Sequence, residues 1–246
     1  NATKTTSIIN HIHANNRVPH PCDTVVLLLY LIHMKILSVV TTLLFLPSIL
    51  FAYNPIIAEP AEAYEIIPIE GDPYIQREYL GNLADFPDMY ELTSDVAFTL
   101  QVKVRQRASE ETPFGLIVVR QNEDDGGVTE VVRQGQPLEE WTEVKDSTLG
   151  MKFLEGATLS REVEPGTYRI EVSSADNKGD YMLIVGDEVV RTGFFSTLAD
   201  VYKVQRHFGY TPLHLLFSNY VYYLLGIVLV SYGIYRTWQY KNKRYA

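Results

Sequence analysis

The chain has 246 residues, a formal net charge of −9 and one cysteine. This length allows one ordinary domain with additional segments, and a single cysteine excludes an intrachain disulfide. All acidic residues except Asp23 lie between residues 53 and 206, so this region would repel nucleic acid. The same region contains no histidine and no cysteine. That absence excludes a Ser-His-Asp or Cys-His nucleophile system and an ordinary structural zinc site there.

The first 52 residues have the pattern of a segment that is not part of the mature fold. Residues 1–33 begin with Asn1 and show no periodicity, so we interpret them as non-native upstream sequence. Met34 and Lys35 precede an apolar stretch that ends near Ala52, which predicts a secretory signal peptide at 34–52. The alternative is that residues 25–53 remain as a membrane helix. Residues 53–73 contain four prolines and predict an extended linker, with an edge strand at 65–69 as an open alternative.

Residues 74–190 are dominated by a period of two. Val96, Phe98, Leu100, Val102 and Val104 alternate with more polar residues, which is typical of a strand with one solvated face. Further strands are predicted at 78–83, 89–93, 114–119, 128–132, 158–163, 167–172 and 181–185. Short strands with frequent turns and no helical period predict an all-β ectodomain, an antiparallel, jelly-roll-like β-sandwich.

Two of these strands carry a family resemblance. Glycine and tyrosine begin each strand and apolar residues alternate after them: Gly166, Tyr168, Ile170, Val172 and Ser174, then Gly179, Tyr181, Leu183 and Val185. This pattern resembles the closing strand pair of bacterial pre-peptidase C-terminal-like domains. The resemblance implies a jelly-roll-type sandwich that serves as a non-catalytic binding or spacer module.

The longest interval between predicted strands, residues 134–156, contains the candidate ligand site. Trp141 lies beside Glu139 and Glu140, with Asp146 shortly after. Long loops on a rigid sandwich often carry binding residues, and an aromatic ring flanked by acids could hold a sugar or a cationic group. The alternative is that Trp141 plugs the edge of the sandwich and the acids are solvated.

Two acidic turns are weaker candidates for a metal site. Asp124 and Asp125 share one turn, and Asp176 and Asp180 flank another. Carboxylates on loops could share a Ca²⁺ ion, although the spacing does not match an EF-hand and ordinary turns explain both. We therefore expect no cofactor, with Ca²⁺ as the only alternative.

An amphipathic helix is predicted at 195–209. Apolar and large residues recur there at steps of three and four: Leu198, Val201, Tyr202, Gln205 and Phe208. Gly209 and Pro212 fit its end. Two placements of this neck stay open, one on a membrane surface and one packed under the sandwich.

A transmembrane helix is predicted at 213–235. The run 215–235 carries no formal charge and would span about 31 Å as a helix, close to the thickness of a bilayer core. The segment 236–246 contains four basic residues and no acidic residue, which predicts a cytoplasmic tail. Asn219, Gly226 and Gly233 recur every seven residues and predict a face for homo- or hetero-association of this helix.

Together these patterns predict a single-pass cell-membrane protein with an extracytoplasmic sandwich. Its expected function is non-catalytic binding or adhesion to a protein, glycan or envelope component. The main alternative is an accessory subunit of a membrane complex, which contacts its partners through the neck and the transmembrane helix. A carboxylate-based hydrolase is a third and weaker hypothesis. The predicted partners are the lipid bilayer and an extracytoplasmic protein or glycan, and no nucleic acid.

Overall fold

The computed structural model describes residue 35 and residues 55–122, 126–135, 137–190 and 193–244. The predicted upstream segment, and the predicted signal peptide apart from residue 35, lie outside these ranges. Contacts divide the chain into residues 1–45 and residues 46–246, and all elements below belong to the second unit.

The described elements are twelve strands, two α-helices and two short 3₁₀ segments. The strands are β1 (Pro55–Ala58), β2 (Ile66–Ile69), β3 (Arg77–Ala84), β4 (Asp88–Ser94), β5 (Phe98–Arg107), β6 (Phe114–Gln121), β7 (Val128–Gln134), β8 (Thr142–Asp146), β9 (Met151–Glu155), β10 (Leu159–Val163), β11 (Gly166–Ser174) and β12 (Lys178–Val185). The helices are α1 (Phe194–His207) and α2 (Asn219–Arg244), with 3₁₀ segments at Leu138–Glu140 and Pro212–Phe217.

The strands form two sheets that pack face to face. The seven-stranded sheet has the order β1-β3-β12-β5-β9-β8, with β10 also paired to β5. The five-stranded sheet has the order β2-β4-β11-β6-β7. The strands that carry the family resemblance, β11 and β12, therefore lie in different sheets, joined by one tight turn.

Both sheets are mixed, so the prediction of a purely antiparallel sandwich is wrong. β1 runs parallel to β3 and β2 runs parallel to β4, while the remaining ladders are antiparallel. The parallel strands come from residues 53–73, which the sequence suggested as a linker with one edge strand. Their prolines are compatible with this position because an edge strand needs hydrogen-bond donors on only one side.

The main core fills the space between the sheets. β5 alternates strictly between buried and half-buried residues, as its sequence predicted. Its buried side chains join apolar residues from the five-stranded sheet, including Leu92, Leu116 and Ile170. Alternation along the strand thus places one face of β5 in the sandwich interior.

A second core lies on the outer face of the seven-stranded sheet. Met182 and Ile184 of β12 pack there, whereas Tyr181 and Leu183 of the same strand belong to the main core. Val201, Val204 and Phe208 from α1 and its C-terminal end complete this second core. Helix α1 therefore packs on the sandwich, one of the two placements that the sequence left open.

The structure overturns the predicted transmembrane helix at 213–235. The uncharged run is divided at Ser218, where the backbone is extended between the 3₁₀ segment and α2. Ser218 and Tyr220 are buried, and further tyrosines along α2 reduce its apolar character. In the ranges that the structure describes, no helix combines the length and the apolar composition needed to cross a bilayer. The predicted single-pass membrane localisation and the cytoplasmic tail at 236–246 lose their basis with it.

Candidate functional site

The predicted ligand site at residues 134–156 contains secondary structure. Trp141 is 7% exposed and belongs to the main core, so its ring is not a surface platform. Glu139 and Glu140 are exposed on the 3₁₀ segment that precedes it. Asp146 lies elsewhere, at the end of β8, where it interacts with Arg105 of β5. The structure does not bring these four residues together around a ligand.

Of the four candidate metal residues, the structure describes two. Asp124 and Asp125 lie outside the described residues. The Asp176 carboxylate accepts a hydrogen bond from the Ser174 hydroxyl, and the Asp180 carboxylate accepts one from the Asn82 amide. Within the part of the chain that the structure describes, no group of three or more His, Cys, Asp or Glu residues could hold a metal ion.

Hydrogen-bonding groups from distant segments of the chain meet at the turn between β8 and β9, residues 147–150, here called the junction turn. Asp146 holds its shape, because one carboxylate oxygen accepts the backbone N–H groups of Thr148 and Leu149 at 3.0 Å each. The other oxygen lies 3.4 Å from Arg105 Nη1. The Asp146 side chain therefore caps the turn and ties it to the neighbouring strand.

Four consecutive carbonyl groups of the junction turn accept hydrogen bonds from the C-terminal segment. The Ser147 carbonyl accepts the backbone N–H of Asn219, and the Thr148 carbonyl accepts the Ser218 hydroxyl at 2.7 Å. The Leu149 carbonyl accepts Gln205 Nε2 at 2.6 Å, and the Gly150 carbonyl accepts His214 Nε2 at 3.0 Å. These donors lie on α1, on the 3₁₀ segment and at the start of α2. Because buried carbonyls require partners, the turn and the C-terminal segment satisfy each other.

Side-chain packing also fixes the start of α2. Tyr220 is buried, and its ring lies 5.3 Å from that of Phe194 at the start of α1. Gly150 approaches the backbone of Phe217 and Ser218 so closely that a Cβ there would lie within 3 Å of it. The first turn of α2 is therefore held to the sandwich by hydrogen bonds and by close packing.

Beyond its first turn, here called the root, α2 exposes large apolar side chains. Val228, Leu229 and Val230 are 61%, 65% and 61% exposed. Other exposed large side chains on the helix are Tyr222, Tyr223, Leu225, Tyr232, Ile234, Tyr235, Trp238 and Tyr240. The three residues predicted to form an association face also lie on α2. An added Cβ at Gly226 or Gly233 would meet no atom within 4 Å, so the helix surface is open at these two glycines. Association through it stays a prediction.

A buried carboxyl group lies near the junction on the same sheet. Glu78 of β3 is 2% exposed, and its Oε1 accepts a hydrogen bond from Gln76 Nε2 at 2.9 Å. Its Oε2 has no hydrogen-bond partner among the described residues. Burial raises the pKa of Glu78 to about 8, and the hydrogen bond from Gln76 and the positive charge of Arg105 oppose this shift only in part. Glu78 is thus protonated in the folded protein at neutral pH.

Glu78→Gln is expected to remove a pH dependence of stability. Between pH 4.5 and 8 the folded state retains the proton of Glu78 and the unfolded state releases it. The free energy of unfolding of the native protein therefore falls by up to about 1.4 kcal/mol per pH unit as the pH rises through this window. The variant lacks this slope, because an amide does not titrate. Urea unfolding at several pH values measures the difference between the two proteins.

The exposed Glu162 provides a control, since Glu162→Gln should keep the native slope. Equal slopes in native protein and Glu78→Gln would contradict the assignment.

Sequence reasoning missed the junction turn because its residues were assigned to a loop. Its signals are short: an aspartate followed by Ser147, Thr148 and a glycine, and much later His214 and Ser218. An Asp two residues before a backbone donor is a common turn signal, but nothing local links it to residues about 70 positions away.

Comparisons with solved structures find partial similarities at low scores. One similar solved structure is the pre-peptidase C-terminal domain of a collagenase from Bacillus anthracis, with 16% identity, 51% of this chain and 96% of that chain covered, and a TM-score of 0.32. Another is PliG of Aeromonas hydrophila, a periplasmic inhibitor of g-type lysozyme, with 14% identity, coverage of 54% and 98%, and a TM-score of 0.33. A third is a mitogen from Yersinia pseudotuberculosis, with 12% identity, coverage of 48% and 96%, and a TM-score of 0.31.

The TM-scores of these three structures, 0.31 to 0.33, carry no argument about the fold or the function of this chain. No family profile matches the sequence, and no curated protein sequence matches it. Scores this low carry no conclusion about activity, so the function proposed below rests on the contacts of this chain.

Proposed function

We propose that this protein is a non-catalytic subunit of a protein assembly, and that α2 binds among apolar helices of a partner protein. The observation that supports this most is the exposed apolar surface of α2 on a root that is firmly held to the sandwich. A helix with this much apolar surface is normally covered in the functional state of a protein.

The distribution of the exposed residues favours a partner with several helices over a second copy of the chain. Successive helical residues are about 100° apart, so Val228, Leu229 and Val230 alone cover an arc of roughly 200°. Pairing with one other helix covers a narrower stripe than this. A single symmetric helix pair would leave much of the apolar arc in water, whereas a groove between partner helices would cover it.

Charge further specifies the partner. Residues 236–246 contain Arg236, Lys241, Lys243 and Arg244 and no acidic residue, whereas the sandwich is strongly acidic. Positive charge at the C-terminal end of α2 favours acidic groups on the partner near that end. The partner should therefore combine an apolar helical groove with an acidic rim.

The described histidines support a structural role for this segment. His207 Nε2 lies 3.1 Å from the Gly81 carbonyl, and burial lowers the pKa of this histidine. His214 Nε2 bonds the Gly150 carbonyl. Each ring therefore uses one nitrogen to hold the C-terminal segment to the sheet. This use agrees with a rigid support for α2, which would limit the entropy lost on binding.

Val228→Asp is expected to weaken the assembly at least about tenfold, because the complex would bury an unpaired charge in an apolar interface. Val96 provides a matched control, since it is an exposed valine, 60% against 61%, on a turn of the sandwich. Val96→Asp should leave the assembly unchanged. Photo-crosslinking groups at positions 222, 228 and 232, introduced in cells that make the protein, measure the contact directly.

The expected crosslinking result is one and the same foreign polypeptide attached at all three positions, and no product from a group placed at position 96. Products that contain only two copies of this chain would show self-association and overturn the proposed partner. An absence of products from all three positions would overturn the binding role of α2.

A further inference from the structure

A cavity of about 490 Å³ lies beside the junction turn and is unusually basic for an acidic protein. Among the residues that the structure describes, its lining includes Arg107, Ser109, Lys145, Lys152, Tyr210 and His214, and no acidic residue. The residues come from the end of β5 and the turn after it, from β8 and β9, and from the connection between α1 and α2. The fold therefore collects three cationic side chains at one place, from three strands.

Two of these cations have no internal counter-ion. Lys152 is paired with Glu143 at 2.7 Å. Neither Arg107 nor Lys145 forms an ion pair with any residue that the structure describes. On the same sheet Arg105 behaves differently, since it lies within 3.4 Å of two carboxylates. The cavity thus retains about two uncompensated positive charges.

The backbone places the two lysines of the cavity in an unfavourable arrangement. Lys145 and Lys152 are direct cross-strand partners in the β8–β9 ladder. Like charges in directly opposite positions destabilise a sheet. The sandwich has an excess of acidic residues, yet none of those in the described ranges lines this cavity. The ion pair between Lys152 and Glu143 offsets this repulsion in part, and an anionic ligand would offset the rest.

Arg107 is held in an orientation suited to such a ligand. Its guanidinium carbon lies 5.0 Å from the centre of the Tyr210 ring. Tyr210 in turn lies 4.2 Å from the His214 ring at an angle of 33°. Because His214 is bonded to the Gly150 carbonyl, the column of rings is attached to the junction turn. An arginine stacked on an aromatic ring keeps its in-plane N–H donors available for two hydrogen bonds to one oxyanion.

We propose that this cavity binds the phosphate group of a small phosphorylated molecule. A phosphate monoester carries a charge of about −1.5 to −2 at neutral pH, which matches the two uncompensated cations. Arg107 supplies the bidentate donor, Lys145 the second charge and the Ser109 hydroxyl a further donor. The cavity is larger than a phosphate group, and Tyr210 and His214, which also line it, provide a surface for the rest of the ligand. This site does not depend on the partner proposed for α2.

Titration of the purified full chain tests the proposal, with inorganic phosphate and phenyl phosphate as probes and chloride at equal ionic strength as the blank. Isothermal calorimetry should detect one saturable site, with phenyl phosphate bound more tightly than inorganic phosphate. Lys145→Gln should raise the dissociation constant at least about tenfold, and Arg107→Gln should raise it at least as much. Arg107→Lys should give a smaller loss, because the charge remains and the bidentate geometry does not.

Lys178→Gln is the control, because it removes the same charge from an exposed lysine on β12 that is paired with Asp85 and does not line the cavity. Circular dichroism and the midpoint of thermal unfolding establish that each variant is folded. If Lys178→Gln and Lys145→Gln weaken phosphate binding equally, the effect comes from the net charge of the protein, and the proposed site is overturned. Tighter binding of citrate than of either phosphate probe would overturn the ligand class, and the lack of any saturable binding would overturn both.

Discussion

Gly150→Ala is expected to lower the free energy of unfolding by about 2–4 kcal/mol and to loosen the root of α2. Gly150 has φ +67°, a left-handed conformation that costs an alanine about 1–2 kcal/mol. In addition, the new Cβ would lie 2.6 Å from the carbonyl carbon of Phe217 and 2.9 Å from the nitrogen of Ser218. These are backbone atoms, so no side chain can rotate away, and the junction turn must separate from the start of α2.

Gly126→Ala separates the cost of the left-handed backbone from the cost of the clash. Gly126 has the same φ of +67°, and an added Cβ there would meet no atom within 4 Å. We expect this control to lose only about 1–2 kcal/mol. Chemical denaturation gives both free energies, and amide hydrogen exchange at Ser218 and Asn219 reports the root of α2 directly. Both amides bond backbone carbonyls in the native protein, and that of Asn219 bonds the junction turn itself. Exchange at these amides should accelerate in Gly150→Ala and not in Gly126→Ala. Equal exchange in the two variants would show that the close approach of Gly150 does not hold the helix.

The strands of the sandwich could largely be predicted because their pattern is local. Alternation along β5 and the apolar runs of β6 and β12 each follow from which faces of the strand are covered. β8 and β9 escaped prediction because the segment also holds charged residues on exposed positions and the buried Trp141. β1 is only four residues long and contains a proline, so its strand character depends on the neighbour, β3, that it joins.

The role of the C-terminal segment could not be predicted from composition. An uncharged run of membrane length was visible, but the break at Ser218 is set by contacts with residues 147 and 148. Those contacts are tertiary and have no periodic signal. The same limit applies to the basic cavity, whose residues are adjacent only because β5, β9 and β8 are neighbours in the sheet. Local patterns therefore predicted the sandwich, whereas both candidate sites arise from pairings between distant segments.

Tyr181→Phe is expected to destabilise the fold by about 2–4 kcal/mol, because it interrupts a hydrogen-bonded chain in the main core. The Tyr181 hydroxyl donates to Asp88 Oδ2 at 2.6 Å. A phenol has one proton, so the Tyr90 hydroxyl, 2.7 Å away, donates to the Tyr181 oxygen. Asp88 is buried, its pKa is raised by that burial, and its Oδ1 has no hydrogen-bond partner among the described residues. Removing the Tyr181 hydroxyl deprives the Asp88 carboxyl of its donor and leaves the Tyr90 hydroxyl without its acceptor.

Tyr90→Phe is the matched variant, since it deletes the same hydroxyl from a tyrosine that is equally buried. It removes only the hydrogen bond between Tyr90 and Tyr181 and preserves the bond to Asp88, so we expect the free energy of unfolding to fall by about 0.5–1.5 kcal/mol.

The aromatic ring at position 181 should stay in place in both variants. Gly81 lies against this ring so closely that a Cβ there would clash with the ring carbons Cζ and Cε1 of Tyr181 as well as with its hydroxyl, so the ring carbons keep this packing when the hydroxyl is removed. Denaturant unfolding of the two single variants and the double variant measures the coupling between them. The hydrogen bonds run in one direction, from Tyr90 through Tyr181 to Asp88. Tyr181→Phe should therefore lower the free energy of unfolding more than Tyr90→Phe does, and the loss in the double variant should be smaller than the sum of the two single losses. Equal losses in the two single variants would contradict the direction of donation that ends at Asp88.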